Sequence, residues 1–262
     1  MDFKDINEKI DTVEGYFKPL DQYTWDWFLS LQNEENVYGN LVEFGVFKGK
    51  SLCKLAQHKK GGEHVLGIDH LLNEEGMKTT VLNSIKKTSN ISLSYVDLVP
   101  KQTEYVDSTK VTHEDGMTTN YRNNTRFLHI DAGHSGYNAF EDLKLADQFI
   151  SPNGILVMDD WRTICYPDIS EAFYRYTLVN PNSYKILLIT DCKMYACRPK
   201  EHANYLWRID TKLIPFLKEH YNGDLRVFKT KNFVDVGKFI ITHKDTVNSD
   251  IDPRDSAIDL VV

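Results

Sequence analysis

The chain has 262 residues, 41% of them hydrophobic, enough for one sizeable α/β domain, and a formal net charge of -7. That acidic balance, with only short basic groups such as Lys59-Lys60, argues against a nucleic-acid partner. With no signal-like N-terminus, no apolar run near the roughly 20 residues of a membrane span and no zinc-type spacing of Cys53, Cys165, Cys192 and Cys197, a soluble cytoplasmic protein with free thiols is expected.

No linker, repeat or low-complexity tract divides the sequence, so one domain over 1–262 is expected. Residues 3–35 read as helical, and Trp25, Trp27, Phe28 and Leu31 give this segment aromatic mass. Two roles are open to it: a helix packed on the sheet, or a helical lid over a ligand cleft within residues 1–38. Leu41–Phe44 then reads as a strand and Lys50–His58 as the following helix. Gly45 and Gly49 in the intervening turn allow close backbone approach to a ligand. The pattern Glu-x-Gly-x-x-x-Gly is neither the dinucleotide fingerprint nor a Walker loop. Glu43 at the strand end suits hydroxyls or positive charge better than phosphate. His64–Asp69 is a second strand, and Asp69 at its tip is placed either for the two hydroxyls of a ribose or as a helix cap. Glu75–Lys87 reads as a helix, Ile91–Val96 as a strand, 100–108 as a surface insertion and Lys110–Glu114 as a further strand. Asp115 or Glu114 after it could accept from an adenine amino group, or simply serve a turn.

Phe127–Ile130 and Ile155–Met158 are continuous apolar runs, the pattern of strands buried on both faces of a parallel sheet. They end in Asp131 and in Asp159-Asp160, where ligands bind in such sheets. As neighbours the strands would lie about 4.8 Å apart. The three carboxylates, with His134 just beyond, would then repel unless a cation sat among them. The bland alternatives are Asp160 as a helix cap and His134 as a loop residue. Helices follow over Ser135–Phe149 and Pro167–Val179, with Trp161, Arg162 and Tyr166 expected on the acceptor side. Tyr184–Thr190 and Lys193–Arg198 read as an antiparallel hairpin at the sheet edge. A long helix over His202–Tyr221, two strands within 225–242 and a loose polar tail from Lys244 complete the chain.

Leu41-Val42-Glu43-Phe44-Gly45-Val46-Phe47-Lys48-Gly49-Lys50-Ser51, Ile130-Asp131-Ala132-Gly133-His134-Ser135, Pro152-Asn153-Gly154-Ile155 and Asp159-Asp160 together resemble the class I S-adenosylmethionine-dependent methyltransferases. More narrowly they resemble the metal-dependent sugar O-methyltransferases of the macrocin, mycinamicin and novobiocin type. The likeness spans about 39–198. It implies a doubly wound, mostly parallel seven-stranded sheet with an antiparallel edge hairpin, a cofactor-binding core over 39–200 and a C-terminal extension over 201–262. It further implies that Glu43, Gly45, Gly49 and Ser51 line the methionine end of S-adenosylmethionine, that Asp69 holds the ribose, and that the adenine lies near Asp115. Asp131, Asp159 and Asp160 would bind a divalent cation, usually magnesium. His134 falls where the mycinamicin-type enzymes place a base. Gly133 stands where the novobiocin-type enzymes have an Asp. The function expected is methyl transfer to a hydroxyl of a sugar or polyol, a small-molecule or glycan acceptor. The alternatives are an N- or carboxyl-methyltransferase of the same fold without catalytic metal, and a cofactor-binding protein without turnover. Oligomeric state stays open, a homo-oligomer included.

Overall fold

Side chains alternate across a strand, so a strand apolar at every position must be covered on both faces. The central strands here satisfy that rule with two separate apolar layers. The computed structural model describes residues 2–100, 109–112, 118–230 and 237–243. Helices α1 (Phe3–Asp11) and α2 (Pro19–Glu34) precede β1 (Asn40–Phe44), α3 (Lys50–Gln57), β2 (Val65–Asp69), α4 (Met77–Thr88) and β3 (Val96–Pro100). A short antiparallel pair, β4 (Lys110–Thr112) and β5 (Thr118–Asn120), leads to β6 (Thr125–Ile130), α5 (Gly136–Phe149), β7 (Ile150–Met158) and α6 (Asp168–Val179). Strands β8 (Lys185–Ile189) and β9 (Met194–Cys197), helices α7 (His202–Arg208) and α8 (Ile214–His220), and strands β10 (Leu225–Thr230) and β11 (Lys238–His243) follow. A π-helical turn over Ile209–Leu213 joins α7 to α8 just before Pro215, which has no N–H for the regular ladder.

The main sheet runs β10-β11-β8-β9-β7-β6-β1-β2-β3. The five strands from β7 to β3 are mutually parallel. Leu41, Phe127, Ile155 and Val157 face the layer containing Trp25, Phe28 and Leu52. Val42, Leu128, Leu156 and Met158 face the layer of α5 and α6, with Leu143, Phe149 and Phe173.

Three expectations need correcting. The sheet has nine strands rather than seven, because β10 and β11 extend it beyond β8. The β8–β9 hairpin is therefore not at the edge: β9 lies between β7 and β8, antiparallel to both, and β11 pairs in parallel with β8. Apolar Phe239 and Ile241 drive this added pairing, which gives partners to backbone groups β8 would otherwise leave open. The third strand also begins at Val96, not Ile91, since Leu93–Tyr95 is a 3-10 turn that brings Val96 into register with Val65. The Pro152-Asn153-Gly154 turn is a bulge inside β7: Thr125 pairs with Ile150, and Phe127 already with Ile155.

The N-terminal segment breaks at Gly15 (φ 142) and restarts at Pro19, a favoured first helical residue. Trp25, Phe28 and Leu29 on α2 are fully buried against the sheet. Polar anchors hold α2 there. Asp26 bonds Lys54 Nζ at 2.5 Å and His58 Nε2 at 2.7 Å, and Gln32 donates to the Arg126 carbonyl at 2.7 Å. Only the connection between α1 and α2, at Gly15 and Tyr16, reaches the cleft described next.

Candidate functional site

The C-terminal ends of β1, β2, β6 and β7 assemble the site. Gly45, directly after β1, has φ 88, and a Cβ there would lie 1.9 Å from the Asp131 carbonyl oxygen. The glycine is thus required by the approach of β6, whatever binds in front of it. Gly49 (φ 87) precedes α3, and a Cβ on it would touch Val81 Cγ1 at 3.0 Å. Asp69 ties the loop between them to β2. One carboxylate oxygen accepts from the amides of Val46 at 2.6 Å and Phe47 at 2.8 Å, and the other from Leu71 at 2.9 Å. Two backbone donors on one charged acceptor make a strong clamp.

Asp131 follows β6, and Asp159 and Asp160 follow β7. Ligand atoms of Asp131, His134 and Asp160 lie within 4.8 Å of one another, as do those of His129, Asp131 and Asp159. Asp160 has φ 57, a backbone region rare for a residue with a Cβ and typical of functional corners. Its Oδ1 accepts from Thr163 Oγ1 at 2.9 Å, and its Oδ2 is 3.2 Å from His134 Nε2. The His134 ring stacks on Tyr166 with centroids 4.2 Å apart. Asp159 has both oxygens engaged: Oδ1 accepts from the Asp160 amide at 2.8 Å and Oδ2 from Lys193 Nζ. Burial, reinforced by the charge of Asp159, pushes the Asp131 carboxyl well above the usual carboxylate range. Burial acts on Asp159 in the same direction, but the ammonium of Lys193, with His129 and the hydrogen bonds, outweighs it and holds Asp159 below that range.

A polar line runs behind these acids, under α2. Lys193 is buried, and its Nζ lies 3.0 Å from His129 Nε2. His129 Nδ1 lies 2.7 Å from Glu43 Oε1. Burial and the neighbouring ammonium hold the His129 ring neutral. An ammonium can only donate, so Nε2 accepts from Lys193 and Nδ1–H donates to Glu43. Glu43 is fully buried, and burial pushes its carboxyl up to about 8, against the Ser51 hydrogen bond and Lys193. Burial works against the charge on Lys193, yet Asp159, Asp131 and Asp21 keep it protonated.

One cleft of about 440 Å³ gathers Gly45, Ser51, Asp69, Asp131, His134, Asp159 and Asp160, with Tyr16, Phe47 and Tyr166 among its other walls. Gly49 and Glu43 are not in its lining. Glu43 stands one layer back, on His129 and Ser51. Asp115 lies outside the described residues. Of the three residues expected on the acceptor side, Tyr166 lines the cleft. Trp161 is buried against Phe173, and Arg162 is not in the lining. Sequence reasoning missed His129 and Lys193. The signal for His129 was a polar residue inside the apolar run 127–130. Lys193 gave none, because only the pairing of β9 with β7 carries it to Asp159.

Residues 42–161 match a family model described as a methyltransferase domain. No curated protein matches the chain by sequence. Among solved structures, the chain is similar to the O-methyltransferase from Bacillus cereus in complex with SAH, at 15% identity and a TM-score of 0.51 over 74% of this chain and 90% of that one. It is likewise similar to a putative O-methyltransferase from Klebsiella pneumoniae, at 12% identity and a TM-score of 0.50 over 75% of this chain and 89% of that one. These likenesses show the fold. Over residues 42–161 the chain is similar to a methyltransferase domain.

Proposed function

We propose that the protein is an S-adenosylmethionine-dependent O-methyltransferase that moves the methyl group to a hydroxyl of a sugar or other polyol, with a divalent cation beside the acceptor oxygen. The observation that carries this reading is the convergence of Asp131, Asp160 and His134 in the same cleft as the Asp69-clamped glycine loop. Asp69 and Ser51 line the same cleft and are the residues we assign to the cofactor, although Asp69 already serves the loop amides.

A hydroxyl is a weak nucleophile until it loses its proton, and transfer needs the oxygen in line with the methyl carbon. Hard carboxylate oxygens on two strand tips fit magnesium or a similar ion. Such an ion, when bound, lowers the cost of deprotonating an attached hydroxyl. His134 has a partly exposed side chain whose ring is fixed by Tyr166. It is the group we assign to take the proton, and Asp160 beside Nε2 would stabilise the imidazolium formed. Tyr16 and Phe47, both exposed at the cleft, offer flat surfaces to the C–H face of a sugar ring.

One observation favours a second reading. Lys193 already neutralises Asp159, so transfer to an amine or carboxylate without catalytic metal is also supported. The test is methyl transfer from S-adenosylmethionine to a panel of sugars, polyols, amines and acids, with and without chelator, alongside calorimetry with the demethylated cofactor. Hydroxyl methylation lost with chelator and restored by magnesium supports the first reading, and chelator-insensitive transfer the second. Failure to bind the demethylated cofactor would overturn both.

A further inference from the structure

The three carboxylates at the strand tips are not equivalent. Asp131 clusters with Asp160 and His134 on one side and with Asp159 and His129 on the other, but of the three only Asp159 has an oxygen on the Lys193 ammonium. Lys193 is not a casual partner. Its side chain is 2% exposed and reaches Asp159 from the position just before β9, against the rings of Phe17 and Trp25, whose centroids are 5.5 and 5.9 Å from Nζ. It also donates to His129, itself tied to Glu43. A buried ammonium fixed on three sides by packing cannot swing away without leaving its charge unpaired, which is far costlier than leaving a surface pair. The remaining Asp159 oxygen is spent on the Asp160 amide, the bond that stabilises the left-handed corner.

We infer that Lys193 is a positioning residue that keeps Asp159 out of a cation's ligand set, leaving Asp131 and Asp160 as its carboxylate donors. The pair Lys193–Asp159 is then a neutral wall of the site, and its ammonium weakens any dication bound alongside. This rests on the cation reading proposed above, and the experiment separates the two.

Manganese(II) serves as the probe, with bound and free ion distinguished by electron paramagnetic resonance on the full chain. Three proteins are titrated: the wild type, Lys193→Met, and the double variant Lys193→Met/Asp159→Asn. The double variant removes the buried ion pair without changing net charge, so it stays informative even if the single variant fails to fold. Lys193→Met should bind manganese at least tenfold more tightly than the wild type, because it frees Asp159 and removes a repelling charge. The double variant should match the wild type within threefold. A tenfold or greater loss in the double variant would mean that Asp159 is a ligand, and would overturn the inference. So would a Lys193→Met protein that folds and gains no affinity. If the wild type binds no manganese while Lys193→Met does, the inference stands and metal assistance in the native enzyme falls.

Discussion

Gly45→Ala tests whether this glycine is dictated by the neighbouring strand. An alanine at φ 88 carries the left-handed penalty of about 1–2 kcal/mol. The new Cβ would also sit 1.9 Å from the Asp131 carbonyl oxygen and 2.4 Å from its carbon, both backbone atoms that no rotamer change can move. The tips of β1 and β6 would have to part by about 1.5 Å to restore ordinary contact. That movement strains the Asp131 amide bond to the Phe44 carbonyl (2.7 Å) and the Gly45 amide bond to the Ile68 carbonyl (2.8 Å). Each such bond contributes about 1 kcal/mol net. The expected loss is therefore about 3–4 kcal/mol, read by urea denaturation of the cofactor-free protein. Gly62→Ala is the control: its φ is 76, nothing lies within 4 Å of its added Cβ, and it should lose only about 1–2 kcal/mol. If Gly45→Ala unfolds at the same urea concentration as Gly62→Ala, the close approach of β6 does not constrain residue 45 and the reasoning fails.

Glu43 gives a pH prediction. Its folded carboxyl is raised from 4.5 to about 8, chiefly by burial, so the folded state holds a proton that the unfolded state has released. Its contribution is fully present below about 4.5 and is lost as pH rises through about 8, on the order of 5 kcal/mol in total. Glu43→Gln should remove this component, so that the stability difference between variant and wild type grows in the variant's favour from pH 5 to pH 8. A difference flat across that range would refute the buried, protonated carboxyl. Asp69→Ala should release the Val46 and Phe47 amides, destabilising the protein by about 2–4 kcal/mol. Hydrogen exchange at those two amides should accelerate, and calorimetric affinity for the demethylated cofactor should drop. Unchanged protection would show that Asp69 does not clamp the loop.

The apolar runs 127–130 and 155–158, the carboxylates that close them and the turn at Gly45 and Gly49 were legible because each is a local property of the chain. Period and length distinguish strands buried on two faces from helices, and a polar residue ending such a run must lie at a sheet end. Those signals placed Asp131, Asp159, Asp160 and Asp69 at one end of a parallel sheet, and Gly45, Ser51 and His134 with them. What the sequence left undetermined depends on contacts between residues far apart in the chain. The strand count hinged on β11 finding the open side of β8, a pairing between 239 and 188 that no window of the chain displays. Gly45 is glycine because of a carbonyl at residue 131 as well as any ligand. Above all, whether three clustered acids await an ion or already hold a partner was decided by Lys193. It arrives one residue before a strand inserted antiparallel beside β7, so the charge balance of the cleft is a property of the tertiary structure alone.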